Sequence, residues 1–310
     1  MSSPVTRDEV DRAATVIEPH VQSTPVVEIR AADLGIDADV EIVLKLEYLQ
    51  RSGSFKGRGA THFVATQEIG PAGLVAASGG NHGAAVAWAA QRFGHPCHIF
   101  VPTISAPAKV DRLRQFGAEV HQVGDVYAES LAASEEWRER SGAVGVHAYN
   151  DPVVLAGAGT CAREFWLQTG GLDSMLFATG GGGLAGGGAV WLGDRTEVVC
   201  CETDGTRAYA AAVESGGPVA VQVSGAAADA LGATSIGEQP WRLLHEVGAT
   251  SAVVSDDQLL DAKALLWDRY RIVVEPSAAA SMAALVSGAW RPQPGTRVGV
   301  VLCGANTSMG

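Results

Sequence analysis

The sequence predicts an α/β protein built from two mostly parallel sheets, each covered by helices. Short apolar runs rich in β-branched residues recur along the 310 residues. Helical patterns lie between most of these runs, and strands that alternate with helices favour parallel sheets covered on both faces. About ten such runs are near the upper limit for one twisted sheet. We therefore expect two α/β domains.

The individual elements follow from this alternation. A strand is predicted where apolar and β-branched residues follow one another in a short run. The predicted strands are, in chain order, 40–46, 74–77, 98–101, 119–123, 144–148, 174–178, 197–201, 220–223, 272–274 and 297–302. A helix is predicted where apolar residues recur at helical spacing between these runs. The predicted helices are 83–93, 108–116, 128–140 and 256–270.

Composition excludes several classes of function. Hydrophobic residues make up 47% of the chain and charged residues 18%, which is typical of a globular protein. The formal charge is −12, from 22 basic and 34 acidic residues, and no basic run occurs. We therefore expect no binding to nucleic acid or to a membrane. The N-terminus has no apolar signal segment and no run of about 18 apolar residues occurs, so we expect a cytoplasmic protein.

The cysteines and histidines show no spacing typical of metal sites. Five cysteines occur without a C-x-x-C pair, and we expect buried, reduced thiols. Histidines at 62, 82, 95, 98, 121 and 147 are scattered, without H-x-x-x-H or H-x-E. We therefore expect neither a zinc enzyme nor another metal cofactor.

The stretch TGGGGLAGGG at 179–188 predicts a phosphate site. It follows an apolar run and precedes a helix-compatible segment, and glycines between a strand and a helix commonly hold phosphates. One interpretation is a dinucleotide site, since Gly181-x-Gly183-x-x-Gly186 fits the Rossmann fingerprint and Glu202 lies about 20 residues further on. An NAD-dependent dehydrogenase is therefore one hypothesis from the residues alone.

Lys56 is unusual among the four lysines of the chain. It lies where Ser52 or Ser54 could cap a helix that starts close to Phe55. A lysine in the first turn of a helix is repelled by the positive end of the helix dipole. Together with burial, this repulsion lowers the pKa of the amine and makes it a better nucleophile.

Four segments, in order, resemble the motifs of fold-type II pyridoxal-phosphate (PLP) enzymes, in particular the serine/threonine dehydratases. SFKGRGA at 54–60 is similar to the lysine motif of that family. SGGNHG at 78–83 is similar to its S-x-G-N-H loop, and TGGGGL at 179–184 to its tetraglycine loop. LCGAN at 302–306 is similar to its closing S/C-G-x-N. Any one match is weak, but four in the family's order make chance a poor explanation.

The resemblance implies a two-domain fold like that of the tryptophan synthase β chain, with PLP in the cleft. The large domain would comprise 1–52 and 151–310, and the small domain 53–150 would carry the lysine that binds PLP. By resemblance Lys56 is also the catalytic base. The other implied cofactor-binding residues are Phe55, Asn81, Gly180, Gly181, Gly182, Gly183, Leu184 and Cys303. The implied substrate-binding residues are Ser78, Gly79, Gly80, Asn81 and His82.

The resemblance further implies an ammonia-lyase that removes water from L-serine or L-threonine, with an amino acid as its small-molecule partner and a homodimeric assembly. Serine racemase is an alternative, but the racemases of the family carry a serine where this chain has Gly79. A specialised β-hydroxy amino acid such as 3-hydroxyaspartate or phenylserine is a further alternative. A relative without catalytic activity also stays open.

Several roles stay open at this point. Glu202 matches the first carboxylate of a cation site found in some relatives, but Ala208 stands where a second acid would be expected. Asp229 is either structural or in contact with substrate. Glu275 matches a glutamate near the cofactor, and a role in a salt bridge is equally plausible. His82 is as compatible with a structural role as with a catalytic one.

Overall fold

The computed structural model describes residues 5–37 and 39–307, and in these ranges the chain forms two sheets. The larger sheet has six strands in the order β1-β2-β10-β7-β8-β9, and the smaller has four in the order β5-β4-β3-β6. The strands are β1 (Val26–Arg30), β2 (Glu41–Lys45), β3 (Leu74–Ala77), β4 (Cys97–Val101), β5 (Glu119–Gln122), β6 (Val144–Gly145), β7 (Ser174–Ala178), β8 (Glu197–Thr203), β9 (Thr250–Val254) and β10 (Arg297–Val301).

All neighbouring strands are parallel except β1, which pairs antiparallel with β2 at one edge of the larger sheet. Parallel strands need crossover connections, and helices provide most of them. The helices are α1 (Arg7–Ile17), α2 (Lys56–Thr66), α3 (Asn81–Phe93), α4 (Pro107–Gln115), α5 (Tyr127–Ser141), α6 (Pro152–Thr169), α7 (Gly183–Leu192), α8 (Ala208–Ser215), α9 (Ala228–Leu231), α10 (Glu238–Glu246), α11 (Asp256–Tyr270) and α12 (Ala280–Val286). The predicted α/β class with two mostly parallel sheets is confirmed.

Local sequence signals explain where several helices begin. Thr6 and Glu9 form a reciprocal capping box at the start of α1. The carboxylate of Asp151 accepts hydrogen bonds from two backbone N–H groups of α6, and Pro152 occupies the first turn. Ser255 caps α11 in the same way as Thr6 caps α1. Side-chain acceptors at these positions satisfy N–H groups that have no partner inside the helix.

Two predicted strands are wrong. Neither 220–223 nor 272–274 forms a strand in the described structure. Val221 makes a backbone hydrogen bond to the loop residue Thr234 instead of joining a sheet. Ile272 follows Arg271, the C-cap of α11, and its N–H donates a hydrogen bond to the carbonyl oxygen of Leu266 in that helix. Apolar runs of three or four residues do not distinguish a strand from a buried loop.

The sequence did not predict β1 and β9, which are the edge strands of the larger sheet. Both are partly exposed along their length, so their apolar pattern is interrupted. The long helix α6 was not predicted either, although it packs against α1, α2 and α7. The predicted domain boundaries at 52–53 and 150–151 stay a prediction.

Each sheet has its own apolar core. The larger core surrounds the six-stranded sheet, and a second core lies between the smaller sheet and helices that include α2, α3 and α4. A small third cluster lies under α5 and includes Phe100 and Val75. None of the described helices combines the length and apolar character needed to cross a membrane.

Candidate active site

A cavity of about 700 Å³ lies where the carboxyl ends of strands from both sheets meet. Ser78 follows β3, Pro102 follows β4, Gly180 lies just beyond β7, and Cys303 lies just beyond β10. Ligands of open α/β sheets bind at this edge. The structure places all the site residues named from the sequence around this one cavity: Phe55, Lys56, Ser78, Gly79, Gly80, Asn81, His82, Gly180, Gly181, Gly182, Gly183, Leu184 and Cys303.

Lys56 is the first residue of α2, and its amine reaches the cavity. Its Nζ donates a hydrogen bond to the carbonyl oxygen of Ala148 at 2.6 Å and lies 5.0 Å from the centre of the Phe55 ring. Burial lowers the pKa of Lys56 from its ordinary 10.5 to about 8. A larger fraction of this amine is therefore neutral near pH 7 than of an exposed lysine, which favours its use as a nucleophile or base.

The expected cap by Ser52 or Ser54 is wrong. Phe55 occupies the N-cap position of α2, and no side chain accepts a hydrogen bond from the first turn. Ser52 instead donates its hydroxyl to the carbonyl oxygen of Ser54. The N–H of Phe55 bonds to the carbonyl oxygen of Cys303, so the start of α2 is fixed to the segment after β10.

The loop 180–183 has no room for side chains. A Cβ atom added at Gly180 would lie 2.8 Å from the Cα of Leu231. One at Gly181 would lie 2.4 Å from carbons of the Tyr149 ring. Gly182 has a φ of 84°, a conformation that non-glycine residues rarely adopt. These glycines therefore bring bare backbone to the wall of the cavity.

This backbone offers hydrogen-bond donors. In the described structure, none of the N–H groups of residues 180–185 donates a hydrogen bond within the chain. They lie at the N-terminus of the ten-residue helix α7, where the helix dipole is positive. Unpaired N–H groups at a positive helix end form a site for a phosphate-sized anion.

The later glycines of the stretch 179–188 have another role, in the packing of α7: a Cβ atom at Gly186 would lie 3.1 Å from the Cα of Pro240 in α10. A Cβ atom at Gly187 would lie 2.4 Å from the carbonyl oxygen of Leu155 in α6, and one at Gly159 of α6 would lie 2.4 Å from the carbonyl oxygen of Gly187. These residues let α6 and α7 pack backbone against backbone. The Rossmann-like spacing thus combines loop glycines with packing glycines.

Glu202 does not face the cavity. It is fully buried in β8, and its two carboxylate oxygens accept hydrogen bonds from the N–H groups of Tyr209 and Ala210 at the start of α8. Burial raises the pKa of Glu202 to about 8. A carboxylate occupied in this way cannot bind a ribose, so the structure does not support the dinucleotide hypothesis.

A second segment at the cavity, 78–82, leads into α3. A Cβ atom at Gly83 would lie 1.9 Å from the carbonyl oxygen of Ser78, so only glycine permits this tight entry. The N–H groups of Gly79, Asn81 and His82 donate no hydrogen bond to any described residue. They offer a second group of donors at a positive helix end, suited to a carboxylate.

Asn81 is held by two side chains. Its Nδ2 donates to Oε1 of Glu275 at 2.6 Å, and its Oδ1 accepts from Nδ2 of Asn306 at 2.5 Å. Glu275 also accepts from the hydroxyl of Ser277 at 2.9 Å. Burial raises the pKa of Glu275. In this structure Glu275 therefore orients the amide of Asn81, which answers the question that the sequence left open.

His82 and Cys303 are uncharged in this cavity. Burial lowers the pKa of His82 to about 3, and the nearby Lys56 amine contributes to this lowering. Nε2 of His82 lies 2.8 Å from the carbonyl oxygen of Val146 and must donate to it, since a carbonyl oxygen only accepts. Burial raises the pKa of the Cys303 thiol above its usual range. Lys56 is therefore the titratable group of this trio that changes charge near neutral pH.

Several residues that line the cavity carry no signal in the sequence. Tyr149 lies in the loop after β6 with its ring centre 5.9 Å from Nζ of Lys56. Lys109 pairs with Asp229 at the opening. Ile104 and Tyr127 are largely exposed at the opening, with 78% and 57% of their surfaces accessible. No motif marks Tyr149, Lys109, Ile104 or Tyr127, because they come from segments that only the fold brings together. Asp229, whose role the sequence left open, lines the cavity and pairs with Lys109.

Arg58, two residues after Lys56, fixes α2 in place. It is buried and forms two hydrogen bonds with the carboxylate of Glu47, at 2.6 and 3.0 Å. It also bonds both oxygens of Glu164 in α6, at 3.1 and 2.9 Å. Lys45 in β2 donates to the same Glu164 at 2.5 Å. This network connects the start of α2 to the larger sheet and to α6.

The residues of the cavity fit a phosphorylated aromatic cofactor. The glycine loop supplies a cradle of N–H donors that any Cβ atom at Gly180 or Gly181 would disturb. Lys56 supplies an amine, and Phe55 supplies an aromatic surface beside it. The neutral thiol of Cys303 suits a ring nitrogen that is not protonated.

Comparison with known proteins supports this assignment. Residues 17–304 match the family model described as pyridoxal-phosphate dependent enzyme. The chain is 35% identical to the phenylserine dehydratase of Ralstonia pickettii over 296 residues, which covers 93% of this chain and 89% of that protein.

Solved structures of similar fold include enzymes named serine racemase and threonine deaminase. The fold is similar to that of maize serine racemase, with a TM-score of 0.93 and 26% identity over 99% of this chain and 95% of the other. It is also similar to a threonine deaminase from T.th., with a TM-score of 0.91 and 31% identity over 98% of this chain and 99% of the other.

Proposed function

The chain belongs to the family of pyridoxal-phosphate dependent enzymes, and we propose that it removes water from a β-hydroxy amino acid of the L-serine or L-threonine type. The released unsaturated amine then takes up water and gives a 2-oxo acid and ammonia. The observation that carries the proposal is the convergence of three features on one cavity. These are the amine of Lys56, the N–H groups of residues 180–185, and the N-terminus of α3.

When bound, PLP withdraws electrons from the α-carbon of an amino acid and makes its α-hydrogen acidic. Lys56 would hold the cofactor and then accept the α-proton at Nζ, for which a pKa of about 8 is well matched near neutral pH. The N–H groups of 180–185 would hold the phosphate. The N–H groups of Gly79, Asn81 and His82 would bind the substrate carboxylate.

Asn81 would contact the cofactor ring through its amide, which Glu275 and Asn306 orient. Phe55 would pack on the ring, and Cys303 would face the ring nitrogen as a neutral thiol. His82 would act as a neutral donor to Val146 that fixes the wall of the site, and it would not transfer protons, because its pKa is about 3.

The residue at position 79 favours elimination over racemisation. Racemisation requires a second acid on the opposite side of the substrate from Lys56. Gly79 lines the cavity and has no proton to donate. The neutral Cys303 thiol supports the same choice, because a ring nitrogen without a proton withdraws electrons less strongly.

A bulkier apolar substrate is a second candidate. The opening of the cavity is lined by Pro102, Ile104 and Tyr127, which suit an uncharged substituent on the β-carbon. Among the described residues of the lining, Lys56 and Lys109 are the only lysines or arginines, and Lys109 already pairs with Asp229. This arrangement favours an aryl substituent, as in the substrate named for the Ralstonia pickettii relative, over a second carboxylate as in 3-hydroxyaspartate.

The test is an assay of the purified, PLP-loaded protein with L-serine, L-threonine, phenylserine and 3-hydroxyaspartate. We expect 2-oxo acid and ammonia in equal amounts. The variant Lys56→Ala should lose this activity together with the visible absorbance of bound PLP, and the control Lys263→Ala on α11 should keep both. Accumulation of D-amino acid without 2-oxo acid would overturn the proposal, as would full activity in Lys56→Ala.

Two further expectations from the resemblance stay proposals. A homodimer is tested by light scattering of the eluted protein during gel filtration. A cytoplasmic location is tested by fractionation of the source cells. All five cysteines lie in the described part of the chain and are free and buried, which is compatible with a reducing compartment.

A further inference from the structure

Three potential metal ligands meet on the smaller sheet, outside the cavity. His98 lies on β4, and Glu119 and His121 lie on the neighbouring edge strand β5. The parallel register places His98 beside Glu119, and residues two apart on a strand point to the same face. The pairing of the two strands thus brings together histidines that lie 23 residues apart in the chain.

The distances among the two imidazole nitrogens and the two carboxylate oxygens of Glu119 are close to those of a coordination shell, and one ligand atom from each residue lies within 4.8 Å of the other two. Nδ1 of His98 lies 3.2 Å from Nε2 of His121 and 3.5 Å from Oε2 of Glu119. Nε2 of His121 lies 3.6 Å from Oε1 of Glu119. Ligand atoms about 2.1 Å from a zinc ion at tetrahedral angles lie about 3.4 Å apart. The three separations fall on both sides of this value.

Aromatic neighbours hold both imidazoles in position. The ring of His121 stacks on Phe100, with centroids 4.4 Å apart and an interplanar angle of 16°. Trp137 of α5 packs against His98 and His121, with centroids 4.8 and 5.3 Å away. The histidine side chains are only 14% and 20% exposed, whereas Glu119 is 65% exposed. A cation can therefore enter from the side of Glu119 and meet two preoriented nitrogens.

We infer that His98, Glu119 and His121 bind a divalent transition-metal cation of the Zn²⁺ class, with water in the remaining position. Two imidazole nitrogens and one carboxylate oxygen are ligands that this class prefers.

The site is separate from the catalytic cavity. His98 is the second residue of β4, whereas the cavity begins at Pro102, beyond the opposite end of that strand. The metal would connect the edge strand β5 to β4, and its role is to stabilise the smaller sheet. We expect it to raise the temperature of unfolding without changing the activity of the loaded enzyme.

The test uses tag-free, PLP-loaded protein from which metals have been removed by chelation. Zn²⁺ binding is measured by calorimetry, and Co²⁺ is used as a spectroscopic probe of tetrahedral ligands. We expect one strong site per chain, with affinity reduced by roughly tenfold or more when one ligand is lost in His121→Ala or Glu119→Gln. The control His95→Ala changes a histidine of the same sheet region outside the cluster and should bind normally.

Glu119→Gln decides the result if His121→Ala does not fold, because Glu119 is largely exposed and its replacement leaves the core intact. Equal Zn²⁺ affinity in wild type and Glu119→Gln would overturn the inference. So would the absence of binding to the wild type, which would show that His98 and His121 form only a hydrogen bond with each other.

Discussion

The amine of Lys56 donates a hydrogen bond of 2.6 Å to the carbonyl oxygen of Ala148, a residue 92 positions away in the chain. This bond joins the first turn of α2 to the loop after β6. It directs the lysine into the cavity between the rings of Phe55 and Tyr149. The acceptor is a backbone atom, so the position of the amine depends on the fold of the loop and not on the side chain at 148.

The burial of this amine predicts how cofactor uptake depends on pH. Burial lowers the pKa of Lys56 to about 8, so the amine is mostly charged below pH 8 and mostly neutral above it. Only the neutral amine is nucleophilic. The rate at which PLP-free protein recovers its visible absorbance on addition of PLP should therefore rise with pH, with a midpoint near 8. A midpoint near the ordinary lysine value of 10.5 would contradict the burial of this amine.

Gly79→Ser should add a proton donor without disturbing the fold. A Cβ atom at this position would lie 3.5 Å from Cγ1 of Val101 and 3.8 Å from Oγ of Ser105, which are ordinary contacts. We expect stability to change by less than about 1 kcal/mol. The ratio of D-amino acid to 2-oxo acid, measured by chiral chromatography, should rise. Gly79→Ala is the control, because it fills the same space without a hydroxyl, and an equal rise in that variant would refute the role of the proton.

Gly181→Ala should weaken PLP binding and destabilise the protein. The new Cβ atom would lie 2.4 Å from the Tyr149 ring, so the loop or the ring must move. Overpacking of this kind costs about 1–3 kcal/mol. Urea unfolding and PLP titration measure the two effects. Gly217→Ala is the matched control, since nothing lies within 4 Å of its Cβ position, and it should leave both quantities unchanged.

Arg58→Ala should be strongly destabilising. The substitution removes the guanidinium that donates two hydrogen bonds to the buried carboxylate of Glu47. Removing one partner of a buried ion pair costs about 3–5 kcal/mol. The free energy of unfolding in urea measures the loss. Arg242→Ala breaks an exposed pair with Glu238 and should cost no more than about 1 kcal/mol. Similar losses in the two variants would show that the buried network contributes little.

The parts of the site that could be predicted from the sequence are those in which one segment determines its own conformation. The glycines at 180–183 and the lysine at 56 belong to such segments, and the structure brings both to one cavity. Tyr149 and Lys109 carry no local signal, because their places depend on how distant segments fold. The cluster of His98 and His121 was missed for the same reason, since the pairing of β4 and β5 creates it.

Helix α6 contacts both α2 and α7 through glycines. The Cβ position of Gly157 lies 2.8 Å from the Cα of Gly59 in α2, and that of Gly159 lies close against the backbone of Gly187 in α7. α2 begins with Lys56, and α7 begins at the glycine loop 180–183. The close packing on α6 therefore sets the distance between α2 and α7. A larger side chain at Gly157 or Gly159 would lengthen that distance, although neither residue lines the cavity. The distance between the Lys56 amine and the glycine loop therefore depends on the absence of side chains deep inside the protein.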